Sequence, residues 1–416
     1  MMRNKVHTYK HHVVHTIQPE SLQADTTRRA SHKKIVFVLR FFLVLLFVSG
    51  IFLSLVPRGR AIARAALLLP TLITASQPAP LVLSGEPTRH TQMTVPSRSG
   101  TVYLDIYAPS TSVPLITDAR GGILIIPGVG DNRQVPQLVN LSQALARSGM
   151  IVMDMTTPTL MAYDISAQDS DAAVQAFNAF ANLPGMQGKH IGLIAFSAGV
   201  PVACFAAADP RIRDKVASVT LFGGYFNTEG VLRAFGRRAI DIDGHTEHWQ
   251  PTDVPILTLT NVIMKPLAPA ERSRIIQALA PHGKALTTNE LAQLSPGTRA
   301  AYHLLIGDEP NRVDQNIAAL PAAIHAELTE LSPSRAIGQM RAPMFLLHDR
   351  NDRSIPVTES RDFAAALARL HYPYEYVEFH IFDHVEVLSN LKIGQILGDG
   401  PRLFSLLSDV LFVDSQ

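Results

Sequence analysis

The sequence predicts an α/β protein built on a mostly parallel sheet, and three observations lead there. Continuous apolar runs of strand length recur through the middle of the chain: "GGILIIPGVG" (Gly121 to Gly130), "MIVMDM" (Met150 to Met155), "HIGLIAF" (His190 to Phe196) and "VASVTLFGG" (Val216 to Gly224). Such runs fit strands buried on both faces, the usual state of a parallel sheet. Segments with apolar residues at helical spacing separate them, and that alternation implies parallel pairing through crossover helices. After a long interruption the same pattern resumes at "APMFLLHDRND" (Ala342 to Asp352).

Taken in order, "TVYLDIYAP" (Thr101 to Pro109) alternates apolar and polar residues as a half-buried strand does. Val135, Leu138, Val139, Leu141 and Leu145 repeat at helical spacing, and Gly149 closes that helix. Val174, Phe177 and Phe180 mark the next helix, and a third runs from about Ala198 to Ala208. The alternation stops after Gly224. The stretch 225–340 holds several helical patterns, among them Ala270 to Leu279 and Asn311 to Leu331, and one apolar run, "VPILTLTNVI". It is too long for a connecting loop and reads as an inserted, mainly helical subdomain. A helix (Val357 to Leu370), a strand-like "YEYVEFHIF" (Tyr374 to Phe382) and a C-terminal helix from about Pro401 to Leu411 complete the pattern.

Bulk properties narrow the function. The chain has 416 residues, 47% apolar and 17% charged, enough to bury a sizeable core. A net charge of +2 gives no reason to expect a nucleic-acid partner, which needs clustered lysine and arginine. The single cysteine, Cys204, excludes an intramolecular disulfide and a cysteine-rich zinc site, and its place on a helix suits a buried apolar position.

The N-terminal region carries a further expectation. Ile35 to Val56, "IVFVLRFFLVLLFVSGIFLSLV", holds one charge, Arg40. As a helix it would extend roughly 33 Å, enough for a hydrocarbon core of about 30 Å. Arg28, Arg29, Lys33 and Lys34 precede it, a bias that predicts a cytoplasmic N-terminus and a main domain on the extracytoplasmic side. The expected layout is a basic, histidine-rich tail (1–34), a transmembrane helix (35–56), a linker (57–95), a core (96–224 and 341–416) and an insertion (225–340). The membrane is thereby an expected partner.

In a parallel α/β sheet, ligands bind at the carboxyl ends of the strands. Ser197 in "AFSAG" falls between a strand and a helix, where small neighbours permit a tight turn and the helix dipole favours developing negative charge. Asp352 in "HDRNDRSIP" follows the strand Met344 to His348, with Asp349 as its competitor. His384 in "FDHVEV" follows the last strand, with His380 as its competitor, and histidine is the side chain best suited to general base work near neutral pH. "PGVG" (Pro127 to Gly130) offers the backbone N–H groups that an oxyanion hole requires.

With Ser197, Asp352 and His384 in that chain order at strand ends and "PGVG" upstream, the sequence resembles the α/β-hydrolase family. The resemblance covers about Thr101 to Gly224 and Met340 to Leu411. It implies that Ser197 is the nucleophile, Asp352 the acid and His384 the base, with the backbone N–H groups of Val129 and Ala198 as the oxyanion hole. The insertion lies where the family carries its cap. Two departures stand out: Ala195 replaces the first glycine of the elbow, and Pro127 replaces a histidine that often braces the oxyanion loop. The reading is a membrane-anchored serine hydrolase acting on a small-molecule carboxylic ester through an acyl-enzyme. Acyl transfer or peptide cleavage on the same triad, and a non-catalytic binding protein of the same fold, are its alternatives. The insertion also holds His245, His248, His282, His303 and His325 with Trp249. No further ligand pattern accompanies the pair in "GHTEHW", so no metal or other cofactor is expected.

Overall fold

The computed structural model describes residues 41–42, 44–45, 47–53, 55–74, 79–84, 87–110, 121–280, 282–388 and 390–415. The chain divides into a unit up to Gly59 and a unit from Arg60 to Gln416, and everything below except the N-terminal helices concerns the second. The histidine-rich tail lies outside the described residues.

The strands in chain order are β1 (Thr88–Ser97), β2 (Gly100–Pro109), β3 (Gly122–Ile126), β4 (Ile151–Thr156), β5 (Ile191–Phe196), β6 (Val216–Phe222), β7 (Ala239–Ile242), β8 (His245–His248), β9 (Met344–Asp349) and β10 (Tyr374–Phe379). Eight of them form one sheet in the order β1-β2-β4-β3-β5-β6-β9-β10. β1 and β2 run antiparallel to their neighbours, while β4, β3, β5, β6, β9 and β10 are parallel. The mostly parallel sheet read from the apolar runs is present.

The reason for those runs is visible in β3. Successive side chains point to opposite faces of a strand. Ile123 and Ile125 pack with Leu138, Ala144 and Leu145 of the helix Pro136–Arg147, and Leu411 near the C-terminus joins them. Leu124 and Ile126 pack on the other face with Phe177 and Phe180 of the helix Asp169–Ala181 and Val202 of the helix Gly199–Ala208. Both faces are covered, so no polar residue fits. β1 is the edge strand, and there Pro96 and a polar pattern are tolerated.

Between β6 and β9 the chain builds a mainly helical cap, as expected. The "VPILTLTNVI" run lies in the helix Asp253–Met264, and β7 and β8 form an antiparallel hairpin. The cap has its own apolar core around Phe235, Trp249, Ile263, Tyr302 and Leu304. The C-terminal helix is longer than its sequence pattern suggests, running Ile393–Asp414 with Pro401 inside it.

The expected transmembrane helix is not found. Residues 35–40, 43, 46 and 54 of the predicted span lie outside the described residues, and among the described residues no helix is long and apolar enough to cross a membrane. The helix Pro57–Thr74 carries Arg58, Arg60 and Arg64, and the helix Ile393–Asp414 carries Asp399, Arg402, Asp409 and Asp414, charges that a bilayer span excludes. The single-pass anchor, the membrane as partner, and the cytoplasmic and extracytoplasmic placement all rested on that helix and fall with it.

Asp414 ties the end of the chain to the sheet. Its Oδ1 accepts the Ser218 hydroxyl at 2.6 Å, its Oδ2 is buried without a partner, and burial pushes its carboxyl up to about 7. A carboxyl whose folded pKa is raised stabilises the fold below its unfolded pKa near 4, and that contribution is lost as pH rises through about 7. Replacing Asp414 by Asn is therefore expected to remove a few kcal/mol of the stability decline between pH 5 and pH 8. Denaturant unfolding at the two pH values checks this; an unchanged slope contradicts it.

Candidate active site

The turn after β5 is strained in a specific way. Ser197 has φ of 51°, in the left-handed region that a side chain seldom adopts. Its N–H donates to the Phe222 carbonyl at the end of β6 (2.9 Å), and the next residues enter the helix Gly199–Ala208. Gly199 is required there: a Cβ would sit 2.3 Å from the Ile126 carbonyl oxygen and 2.6 Å from that of Pro127, both backbone atoms. Ala195 is fully buried in the apolar cluster beneath, so the departure from glycine is accommodated by packing.

The loop "PGVG" lies against this turn, with the Cβ position of Gly128 3.1 Å from the Ser197 Cβ. The side chain that braces the loop is Asn132. Its Nδ2 donates to the carbonyls of Gly128 (2.9 Å), Val129 (3.2 Å) and Gly130 (3.3 Å), gathering them on one side of the loop. The Gly130 N–H donates to the Leu160 carbonyl at 2.8 Å. Val129 and Ala198 both line the cavity above Ser197.

His384 sits at the tip of a small hairpin, β11 (Phe382–Asp383) and β12 (Glu386–Val387), again with a left-handed backbone at φ 62°. Its ring passes over Gly223, where a Cβ would lie 3.0 Å from the imidazole Nδ1. That nitrogen is 2.7 Å from Asp352 Oδ2. The other oxygen of Asp352 accepts the N–H groups of Ser354 (2.6 Å) and Ile355 (2.9 Å). Burial alone would push this carboxyl up, but the charge of His384 and hydrogen bonds from His348 and His384 outweigh it and hold it well below the usual carboxylate range. Asp352 therefore stays ionised.

The competitors go elsewhere. Asp349 accepts the N–H groups of Asn351 and Phe382, each at 2.8 Å, which fastens the loop after β10 to the end of β9. Burial pushes its carboxyl up to about 6. His380 is half-exposed, 3.7 Å from Asp399, and does not line the cavity. Trp249 is core: it packs on Phe235 at 5.4 Å between ring centroids, and its indole N–H donates to the Asp352 carbonyl at 2.7 Å. His245 and His248 are exposed on the cap hairpin, and among the described residues no group of three or more potential metal ligands gathers.

A second serine and histidine also reach Asp352. His348 Nε2 lies 3.2 Å from Asp352 Oδ2, and its Nδ1 is 2.6 Å from the Ser360 hydroxyl. This set is triad-like in its contacts but sealed: His348 is 0% exposed and Ser360 5%, and neither lines the cavity. Ser197 and His384 do line it, in a space of about 350 Å³ under the cap. Sequence reasoning passed over His348 because it sits in an apolar strand run, and over Asn132, whose signal was an amide side chain just past a glycine loop.

Strand order, cap and elbow converge here. The chain has the α/β-hydrolase fold. Ser197 and His384 line one cavity, and Asp352 holds the Nδ1 of that imidazole. No family model and no curated protein matches the chain. Among solved structures it is similar to the acylaminoacyl peptidase of Pyrococcus horikoshii (12% identity over 81% of this chain and 43% of that one, TM-score 0.45). It is also similar to a puromycin-hydrolyzing peptidase of Mycobacterium tuberculosis (16%, 80% and 40%, TM-score 0.45) and to an esterase of Pyrococcus furiosus (12%, 81% and 94%, TM-score 0.41). The chain spans 38%, 43% and 36% of three of the peptidase structures that it matches.

The α/β-hydrolase elbow makes a clear demand on Gly199. Gly199→Ala places a methyl group against backbone oxygens that cannot yield, so a stability loss of about 2–4 kcal/mol is expected. Thermal melting checks it, and a variant that melts with the wild type contradicts the close approach.

Proposed function

We propose that the protein hydrolyses an uncharged carboxylic ester through an acyl-enzyme on Ser197. The observation that carries this reading is the position of Ser197 on a strained elbow, lining the same cavity as His384, whose far nitrogen is held by a buried, ionised Asp352. Ser197 Oγ attacks the carbonyl carbon while His384 Nε2 takes its proton. The negative charge that develops on the carbonyl oxygen is met by the N–H groups of Val129 and Ala198. His384 then gives the proton to the departing alcohol, activates a water in turn, and the carboxylic acid leaves. Asp352 orients the imidazole and stabilises its charged form throughout.

The cavity lining supports an apolar acyl group. Val129, Ile165, Val231, Phe235, Leu259 and Val262 form much of the wall, and no lysine or arginine contributes to it. Asp383 and Glu386 stand near His384, with Asp383 paired to Arg353 at 2.5 Å, so an anionic acyl chain finds no counter-charge.

Two outcomes are expected with a panel of p-nitrophenyl esters. Specificity (kcat/KM) rises about fourfold per added methylene from acetyl toward hexanoyl, from roughly 0.8 kcal/mol per buried methylene, and drops for a hemisuccinyl ester. Ser197→Ala lowers kcat by about a thousandfold or more with the protein still folded. Equal turnover by wild type and Ser197→Ala contradicts the assignment, and a preference for the anionic ester contradicts the acyl class.

A further inference from the structure

Asp352 is approached by two histidines, and the proposed mechanism uses one. His348 lies at the end of β9, fully buried, with Nε2 3.2 Å from Asp352 Oδ2 and 3.1 Å from the Ile355 carbonyl. Both neighbours of Nε2 are acceptors, so this nitrogen carries the hydrogen. Nδ1 is then left to accept from the Ser360 hydroxyl at 2.6 Å, which locks the ring in that tautomer. The carboxylate oxygen bonded to His384 in the cavity thus also lies 3.2 Å from the His348 ring in the core.

We infer that His348 is a positioning residue of the active site: it fixes the Asp352 carboxylate toward His384 and, by taking part of the charge on Oδ2, sets how tightly His384 holds a proton. Ser360 acts through His348 by bonding its Nδ1 and so holding the ring in place. The inference rests on the reading of Ser197, His384 and Asp352 as the working triad. It also explains why a sealed serine and histidine stand behind the acid: Ser360 is nine-tenths or more buried on the helix Val357–Arg369, where no substrate carbonyl can reach it.

Other charges surround the pair. His348 bears on Glu359, and Asp352 and His380 bear on Asp349. Asp383 and Glu386 flank His384 in the chain, and Arg353 is paired with Asp383. Glu359, pushed up to about 7 by burial, and Asp349, pushed up to about 6, titrate in the same range, so the shift in His348→Met is read against that in His348→Gln.

The direction follows from the charge. With the His348 donor removed, the full charge on Oδ2 acts on His384, whose protonated form is stabilised, and the active neutral form appears only at higher pH. The test is the rate at which a fluorophosphonate labels Ser197, measured from pH 4.5 to 8.5. In His348→Met the pH of half-maximal labelling is expected to rise by about one, and the plateau rate to fall. In His348→Gln, whose Nε2 restores a donor in nearly the same place, the profile returns toward that of the wild type. Ser360→Ala, which keeps the core volume but removes the brace on Nδ1, moves the midpoint upward as His348→Met does. An unmoved midpoint in His348→Met overturns the inference, as does an unmoved midpoint in Ser360→Ala should the methionine variant not fold. A shift in His348→Gln as large as that in His348→Met also overturns it, by showing that packing alone is at work. A wild-type protein that takes no label at Ser197 overturns the triad reading itself, and this inference with it.

Discussion

A carboxylate sealed from water and kept ionised sets the arrangement around it. Asp352 is 1% exposed, and burial on that scale drives a carboxyl toward its neutral form unless donors surround it. The N–H groups of Ser354 and Ile355 reach one oxygen and the His384 imidazole the other, with the His348 ring 3.2 Å from that second oxygen. Each donor constrains a different part of the chain. The two amides require the tight loop after β9, His348 requires the strand itself, and His384 requires the hairpin after β10 to return to this point. Asp349 completes the closure by pinning Phe382 to the same strand end.

The cap reaches the same loop from the other side. Its hairpin is joined to the core by Arg350 with Glu247 (2.7 Å) and Arg361 with Asp243 (3.0 Å), and Trp249 donates to the Asp352 carbonyl. Across the cavity, Lys265 pairs with Asp164 at 2.8 Å and donates to the Ile165 carbonyl at 2.6 Å, while Asn261 donates to the Tyr163 carbonyl. The segment it grips also receives the Gly130 N–H through Leu160. The insertion thus covers the cavity and braces both loops that border it, so a change in the cap can alter the chemistry as well as the choice of substrate.

Much of this was legible in the sequence. The parallel sheet announced itself because β3, β4, β5 and β9 are covered on both faces and are built mostly of apolar residues. Ser197, Asp352 and His384 could be proposed from the sequence because each lies just beyond a strand, with small residues or a turn beside it. The edge strand β1 left little trace, since solvent on its free side permits Pro96 and a polar pattern. His348 was hidden for the opposite reason: its neighbours in "MFLLHD" are apolar, and only its partners in space show that it is a donor. Ile35 to Val56 satisfies the composition of a span, but among the described residues no helix is long and apolar enough to cross a membrane.

The central claim is that chemistry occurs at Ser197, with the buried serine behind Asp352 serving only the acid. Mass spectrometry of peptides from the full chain, after reaction with a serine-directed fluorophosphonate, tests it most directly. The expected result is a single stoichiometric adduct on the peptide containing Ser197, lost in His384→Ala. An adduct on Ser360, or none on a folded protein, contradicts the account.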